Sequence, residues 1–435
     1  MTAKISDGPT DMTSGMRLFT HHQRGRAGSG LIVLLLLAFL FQALLSMRTT
    51  SAIWDEPTHI AAGYSYWKTR DGRMNRAHPP LVKLMAAAPL LLLNLDVPIE
   101  HHSWRDTDQY RFSGVFFQRS VAEIDRILFL ARLPVLLLAV FLALLVHQWA
   151  RELWGGSAAL LALFLFVFEP TVLAHSRLAT MDIPLATFVF AASYSLWKWL
   201  QERHLIHAVA ASVTLGLALS TKNVALALLP LYCGLVLIHP RGVRGNEVSR
   251  GVTVRVFLQI LGGAVLVVIL VYSLAFSWRP LLRTRAEHPR VARILAALHL
   301  DRVPRLQTAI VTAGERLRLP PIRDYYLTSV LANRGALRSG SPAFLMGRYS
   351  TRGWWHYHLV AFVLKTPLPI LLLVAVRVLT LRWFRPTAEE YFIVIPVIYV
   401  MLLSAFSTVN IGIRYLMPIY PFLVVWLSRL VALER

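Results

Sequence analysis

Long apolar runs separated by short polar segments dominate this chain. Most of the runs approach the roughly twenty residues that a helix needs to cross the ~30 Å hydrocarbon core of a bilayer. This pattern predicts an all-α polytopic membrane protein. The predicted spans lie near residues 31–47, 127–149, 157–174, 183–200, 205–219, 224–238, 255–277, 357–377, 391–407 and 413–429.

One more apolar segment, residues 81–95, is short for a full span. It contains Lys83 and Pro89 and has only about fifteen residues, whereas a span needs roughly twenty. We predict that it is a re-entrant or interface-lying helix in a bundle of about 10–11 transmembrane helices.

The distribution of basic loops predicts the orientation of the helices. If the N-terminus is cytoplasmic and residues 81–95 do not cross, the basic connectors 241–255 and 377–385 are cytoplasmic, as the positive-inside rule requires. The long basic stretch 277–355 then lies outside, which the rule permits for long loops. The resulting division has a basic cytoplasmic tail (1–30), a first transmembrane helix (31–47), an outer catalytic loop with juxtamembrane helices (48–126), a transmembrane bundle (127–277), a long basic outer loop (278–356) and C-terminal transmembrane helices (357–435).

Composition limits the possible partners. The chain of 435 residues is 56% hydrophobic and has a formal net charge of +22. In a soluble protein this charge would suggest nucleic acid, but no stripe of interleaved aromatic and basic residues is recognisable. We therefore predict membrane lipids as partners and no nucleic acid. The single cysteine, Cys233, excludes disulfide bonds within the chain.

Two adjacent acids, Asp55 and Glu56, follow the first apolar run and lie at the boundary between water and membrane. The next residues place Ile60, Tyr64 and Trp67 on one helical face, which predicts an amphipathic helix at the interface. The carboxylates precede its first turn, where the helix dipole favours their ionised form. The acids could act on a lipid headgroup, or they could simply cap this helix.

Histidines near these acids have two possible roles each. His59 follows Asp55 by four residues and Glu56 by three, a spacing that could support a metal site, although no second Glu-x-x-His occurs. His78 precedes two prolines, which fix the chain direction there. Its ring and the nearby Lys83 could contact a phosphate, or the segment could only form the turn before the next helix.

The predicted topology brings charged residues from distant loops to one membrane face. A site at the outer boundary requires such convergence, whereas a transport site at the midplane would need charges or broken helices inside the spans. The converging residues are Asp55, Glu56, His78, Asp182, Lys222 and Arg414.

Five motifs, in this order along almost the whole chain, resemble those of the family-39 glycosyltransferases. The motifs are Asp-Glu-Pro-x-His at 55–59, His-Pro-Pro-Leu-x-Lys at 78–83, Arg-Leu-x-x-x-Asp-Ile-Pro at 177–184, Lys-Thr-Pro-Leu-Pro at 365–369 and Ile-Gly-x-Arg-Tyr-Leu at 411–416. These are membrane enzymes of the GT-C class, related to protein O-mannosyltransferases and to the aminoarabinose transferases that modify lipid A. The resemblance implies a GT-C-like helical bundle.

The resemblance also implies the reaction and its catalytic acids. It implies transfer of a sugar from a polyprenyl-phosphate carrier to an acceptor on the outer face of a prokaryotic inner or plasma membrane. Asp55 matches the catalytic acid, Glu56 supports it, and Asp182 is the acid of a second motif. Many relatives carry an acid just before His78, but here the residue is Ala77, which leaves the use of a divalent metal open.

The chemistry of a lipid-phosphate sugar agrees with these residue types. The leaving phosphate is a stable anion, so one base that accepts the acceptor's hydroxyl proton suffices, with inversion at the anomeric carbon and no required cofactor. Residues available to bind or stabilise the phosphate are His78, Lys83, Lys222, Lys365, Arg414 and Tyr415. Each cation also has a structural interpretation, as a hairpin cap, a snorkelling side chain or an interfacial anchor.

Two other functions fit the same composition. A transporter or flippase of lipid-linked sugars would also be polytopic and basic, and a non-catalytic scaffold would not need Asp55. A protein hydroxyl, a glycolipid and a polysaccharide remain equally possible acceptors, and the outer loop 277–355 is the expected place to bind them.

Overall fold

The computed structural model describes residues 12–238, 250–276, 342–383 and 386–432. The described chain is almost entirely helical, so the prediction of an all-α polytopic fold is confirmed. The exception is a small antiparallel hairpin in which Ala343–Leu345 pairs with Arg348–Ser350. Most of the predicted basic outer loop and the first residues of the N-terminal tail lie outside the described residues.

The first half of the chain forms the long helices and the outer loop. Its α-helices are α1 (Met12–Thr49), α2 (Glu56–Thr69), α3 (Leu81–Ala87), α4 (His102–Arg105), α5 (Gln109–Arg119), α6 (Ile124–Trp154), α7 (Gly156–Val167), α8 (Pro170–Ser176), α9 (Asp182–Glu202) and α10 (Leu205–Leu219). Short 3-10 turns follow α3 at Ala88–Leu93 and precede α6 at Val121–Glu123.

The second half completes the bundle. After a 3-10 turn at Asn223–Leu228 come α11 (Leu229–Ile238), α12 (Arg250–Ala275), α13 (Tyr357–Lys365), α14 (Leu368–Thr380), α15 (Ala388–Ala405) and α16 (Ile419–Ser428), with further 3-10 turns at Ile413–Leu416 and Arg429–Ala432.

Four helices of the described chain are long and apolar enough to cross a membrane, and two bent pairs raise this number to six if each pair is one span. The four are Gly28–Thr49, Val121–Trp154, Gly251–Ala275 and Ala388–Ala405. In the bent pairs, α7 meets α8 at 64° and α13 meets α14 at 112°. A proline lies in the first turn of α8 and of α14, where it suits a helix start and cannot continue a preceding helix. Several other predicted spans are shorter apolar helices.

Two sequence predictions differ from the structure in detail. The helix after Asp55 is present as α2, but α3 and α5 cover it and bury Ile60 and Tyr64 completely, so it is not an open amphipathic surface helix. The last span begins at Ile419, not 413, because Gly412 has a φ of 90° and Pro418 caps the helix.

Close packing of backbones fixes the helices around the outer loop. A Cβ on Gly63 of α2 would lie 2.0 Å from the carbonyl oxygen of Lys83 in α3. A Cβ on Gly216 of α10 would lie 2.6 Å from the carbonyl oxygen of Ala264 in α12. Small residues of this kind let helices approach closely where lipid supplies no hydrophobic driving force.

Candidate active site

The acids and bases of four separate loops meet at one end of the bundle. Asp55 lies in the turn before α2, and its Oδ2 accepts a hydrogen bond of 2.7 Å from Nη1 of Arg414. The Nε of Arg414 lies 3.2 Å from Oδ2 of Asp182, at the start of α9. Arg414 therefore connects two carboxylates, Asp55 and Asp182, that lie 127 positions apart in the sequence.

Lys222 completes this ion network from the turn after α10. Its Nζ donates to Oδ1 of Asp182 at 3.1 Å and lies 4.8 Å from the ring centroid of Tyr415. Burial alone would raise the pKa of Asp182, but the charges of Lys222 and Arg414 outweigh it and lower that pKa to about 2. Asp182 is therefore a buried, ionised anchor for two cations.

Asp55 differs from Asp182 in its access to solvent. The side chain of Asp55 is 30% exposed, whereas that of Asp182 is 1% exposed. Within the described chain, Oδ1 of Asp55 accepts no hydrogen bond, since Arg414 binds Oδ2. Asp55 is thus the acid of this network that an incoming group can reach.

Glu56 points away from the ion network into a fully buried pair with Arg132 of α6. Its two carboxylate oxygens accept bonds of 2.8 and 2.7 Å from the guanidinium. They also accept the backbone N–H groups of Ile53 and Ala179. Arg132 in turn donates to the carbonyls at the end of α1, those of Met47, Thr50 and Ser51.

This cluster fixes the two acidic segments relative to each other. Ile53 is two residues before Asp55, and Ala179 is three residues before Asp182. Both are bonded to the same buried carboxylate, which satisfies the hydrogen-bonding capacity of Glu56 without exposing it. The position of Glu56 suits a positioning role.

The rings of His59 and His78 meet edge to face, close to Asp55. Their rings are 6.2 Å apart at 73°, and Nδ1 of His59 is 3.4 Å from the carbonyl oxygen of Ala179. Burial and the charge of Lys83 lower the pKa of His59 to about 4. Burial and the charge of Lys222 likewise lower the pKa of His78. Both rings are therefore neutral at pH 7.

Lys83 does not reach the ion network. Its buried ammonium donates to the carbonyls of Asn75 and His78 at 2.5 and 2.8 Å, and to Tyr66 at 3.3 Å. Burial lowers the pKa of Lys83 to about 7. Its contacts hold the loop that carries His78.

Lys365 and His175 extend the site on the side of α13. Lys365 is exposed at the end of α13 and interacts electrostatically with His175. The Nδ1 of His175 lies 3.8 Å from Oδ2 of Asp182. The sequence analysis missed His175 and Arg132. Arg132 could have been noticed as a charge inside a predicted span, where an ionisable residue needs a partner.

A metal would need ligands other than Asp55, Glu56 and His59, the three residues that the sequence suggested. Glu56 is bonded to Arg132, and His59 faces a carbonyl, so neither shares a coordination point with Asp55. No group of three His, Cys, Asp or Glu side chains suited to a metal occurs in the described segments.

Comparison with known families adds a sequence match. The family model of dolichyl-phosphate-mannose-protein mannosyltransferases matches residues 32–279, more than half of the chain. The matched part includes Asp55, Asp182 and Lys222 but ends before Lys365 and Arg414. A search of curated proteins found no match.

Solved structures share the fold at low sequence identity. ArnT from Cupriavidus metallidurans in the apo state has a TM-score of 0.54 at 17% identity, over 94% of this chain and 60% of ArnT. Its complex with undecaprenyl phosphate gives 0.53 at 15%, with the same coverage. The oligosaccharyltransferase AglB from Archaeoglobus fulgidus, with an inhibitory peptide and a dolichol-phosphate, gives 0.50 at 14%, over 94% of this chain and 50% of AglB. These matches confirm the predicted GT-C fold. The chain spans only 60% of ArnT and half of AglB.

Proposed function

Because the chain belongs to the dolichyl-phosphate-mannose-protein mannosyltransferase family, we propose that it transfers a sugar from a polyprenyl-phosphate-linked donor to a hydroxyl acceptor. The observation that carries the proposal is the difference in solvent access between Asp55 and the neighbouring acids Glu56 and Asp182. Asp55 has one oxygen held by Arg414 and one open to an incoming group, while Asp182 and Glu56 are buried and ion-paired. ArnT, which shares the fold, binds undecaprenyl phosphate.

Asp55 acts as the general base in this mechanism. The acceptor hydroxyl lies against Oδ1 and gives up its proton as its oxygen attacks the anomeric carbon. The bond from that carbon to the phosphate oxygen breaks on the opposite face, so the configuration inverts. The electron pair of the broken bond leaves with the polyprenyl phosphate.

The cations of the network stabilise the departing phosphate. Lys222 and Arg414 are each held by Asp182, so both keep fixed positions before the substrate arrives. Lys365, exposed at the bend between α13 and α14, adds a charge that no described carboxylate neutralises. The neutral ring of His78 lies beside Lys222 and can donate a hydrogen bond to a phosphate oxygen.

We assign this site to the outer face of the membrane. The assignment rests on the sequence, because the basic connectors near residues 241–255 and 377–385 favour the cytoplasm and the predicted topology puts Asp55 on the opposite face. A lipid-linked donor would then present its phosphate at the depth of Asp55 while its polyprenyl chain stays among the helices.

The test compares Asp55→Asn with Asp106→Asn in the full chain, reconstituted with a labelled polyprenyl-phosphate sugar and acceptor membranes. Asp106 is an exposed acid of the same outer loop and serves as the control. We expect Asp55→Asn to lose transfer by a factor of ~10²–10⁴, the usual contribution of a general base, with an unchanged melting temperature. Asp106→Asn should transfer at the parental rate.

Two outcomes would contradict the proposal. Parental transfer by a folded Asp55→Asn protein would refute the base assignment. Movement of the donor across the bilayer without transfer of its sugar would indicate a flippase.

A further inference from the structure

A pair of exposed aromatic rings lies beside the proposed base. Trp54 directly precedes Asp55 and is 78% exposed, and Tyr110, in the first turn of α5, is 55% exposed. Their ring centroids are 5.7 Å apart, and the ring planes are tilted by 39°. The Cα of Trp54 is about 3.8 Å from that of Asp55, so one ring of the pair is the immediate chain neighbour of the proposed base.

The exposure of these two rings is unusual within the outer loop. The loop buries Tyr64, Trp104 and Phe112 and partly buries Trp67 and Phe117. Phe112 is two residues after Tyr110 in the same helix and is 1% exposed. A core is therefore available to aromatic residues here, and Trp54 and Tyr110 remain outside it. A contiguous exposed apolar surface of this kind marks a binding site more often than an isolated exposed residue does.

The rings lie on the side of α2 that faces α5. The α2 helix contacts α3 through Gly63 and contacts α5 through Tyr64, whose ring is 5.6 Å from that of Phe116. The α3 side leads to the phosphate-binding cations, because the N–H of Leu81 donates to the carbonyl of Ser220 beside Lys222. The Trp54 and Tyr110 rings belong to the α5 side, because Tyr110 lies in the first turn of α5.

We propose that Trp54 and Tyr110 form a stacking platform for a saccharide acceptor. A pyranose ring presents a flat face of C–H groups to the aromatic rings, and its hydroxyl groups project from its edge. Arg111, which is exposed and follows Tyr110 directly in the sequence, offers hydrogen-bond donors to that edge. The proposal rests on the proposed function and narrows its acceptor to a hydroxyl on a sugar.

An aromatic pair at the boundary between water and membrane could instead anchor the loop in lipid headgroups. Trp355 provides a matched control, because it is 71% exposed and follows the β-hairpin at the same end of the bundle. If the exposed tryptophans serve only as anchors, Trp54 and Trp355 should respond alike to substitution.

The experiment measures binding rather than turnover, so it stays informative if the transfer assignment fails. The full chain in lipid nanodiscs is titrated with hexose and hexosamine oligosaccharides, with a serine- and threonine-rich peptide and with undecaprenyl phosphate. We expect Trp54→Ala and Tyr110→Ala each to weaken saccharide binding by about tenfold, the usual effect of losing one stacking ring. Trp54→Phe should retain most of the affinity. Trp355→Ala should match the parent, and undecaprenyl phosphate should bind all variants equally.

Three results would overturn the proposal. One is that none of the saccharides binds the parent while the peptide does, and another is that Trp54→Ala keeps the parental saccharide affinity. The third is an equal loss in Trp54→Ala and Trp355→Ala. If Asp55→Asn loses transfer but binds saccharides as tightly as the parent, the base assignment and the stacking platform are tested separately.

Discussion

At the scale of single residues, the adjacent acids Asp55 and Glu56 have different environments. Asp55 is partly exposed and bonded to Arg414, whereas Glu56 is fully buried against Arg132. Consecutive residues at a helix start point in different directions, so one motif supplies both the proposed base and a buried structural acid. The family resemblance predicted a supporting role for Glu56, and the buried contact with Arg132 suits that role.

The Glu56–Arg132 pair yields a stability prediction. Glu56→Gln leaves a buried guanidinium without its counter-charge, and we expect a loss of about 3–5 kcal/mol in unfolding free energy. Transfer should also fall, since one of the two carboxylate oxygens that accept the N–H groups of Ile53 and Ala179 becomes an amide donor. Thermal unfolding in nanodiscs measures the first effect, and kcat measures the second.

The double variant Glu56→Gln/Arg132→Met distinguishes the charge from the packing. Because it removes the unpaired cation, it should be more stable than Glu56→Gln alone. Its transfer rate should stay low, because the two acidic segments remain unconnected. A double variant no more stable than the single one would contradict this account of the pair.

At the scale of elements, the position of α2 depends on one glycine. Gly63 allows the helix to contact the backbone of α3 at Lys83, and α3 begins directly after the loop that holds His78. The sequence predicted both segments, but it did not show that the second would cover the first. Contacts of this kind depend on the absence of a side chain, which no hydrophobic pattern reveals.

Substitution of Gly63 tests this contact. Gly63→Ala places a Cβ 2.0 Å from the carbonyl oxygen of Lys83, so the helices must separate. We expect a lower melting temperature and weaker binding of polyprenyl phosphate, as the His78 loop shifts with α3. Gly114→Ala in α5 is the control, because its Cβ meets nothing within 4 Å. Alanine also favours helix more than glycine does by about 1 kcal/mol, so this control should be at least as stable as the parent.

At the scale of the whole molecule, the sequence predicted the class of fold correctly but did not predict where the helices break. Apolar runs and motif order were enough for a polytopic GT-C-like bundle. The runs at 157–174 and 357–377 each appear as two bent helices, because proline ends a helix without interrupting a hydrophobic run. The ion network was partly predictable from topology, but the pairing of Arg414 with both acids depends on packing at long range.

The orientation of the bundle can be measured with engineered thiols. In a Cys233→Ser background, Gln118→Cys lies in α5 on the side of Asp55, and His204→Cys lies beyond the far end of α9. We expect a membrane-impermeant maleimide to label Gln118→Cys in intact cells and His204→Cys only after permeabilisation. The reverse pattern would place the proposed active site in the cytoplasm.

The bond between Arg414 and Asp55 joins residues 359 positions apart, and this separation has a consequence during synthesis. At translation rates of roughly 5–20 residues per second, Asp55 leaves the ribosome roughly 20–70 s before Arg414. Asp182 has Lys222 as an early partner, since only 40 positions separate them. The nascent chain can therefore neutralise its buried acid long before the last helix inserts. The site gains its arginine much later than its acids, so a chain that stalls before residue 414 is expected to be inert.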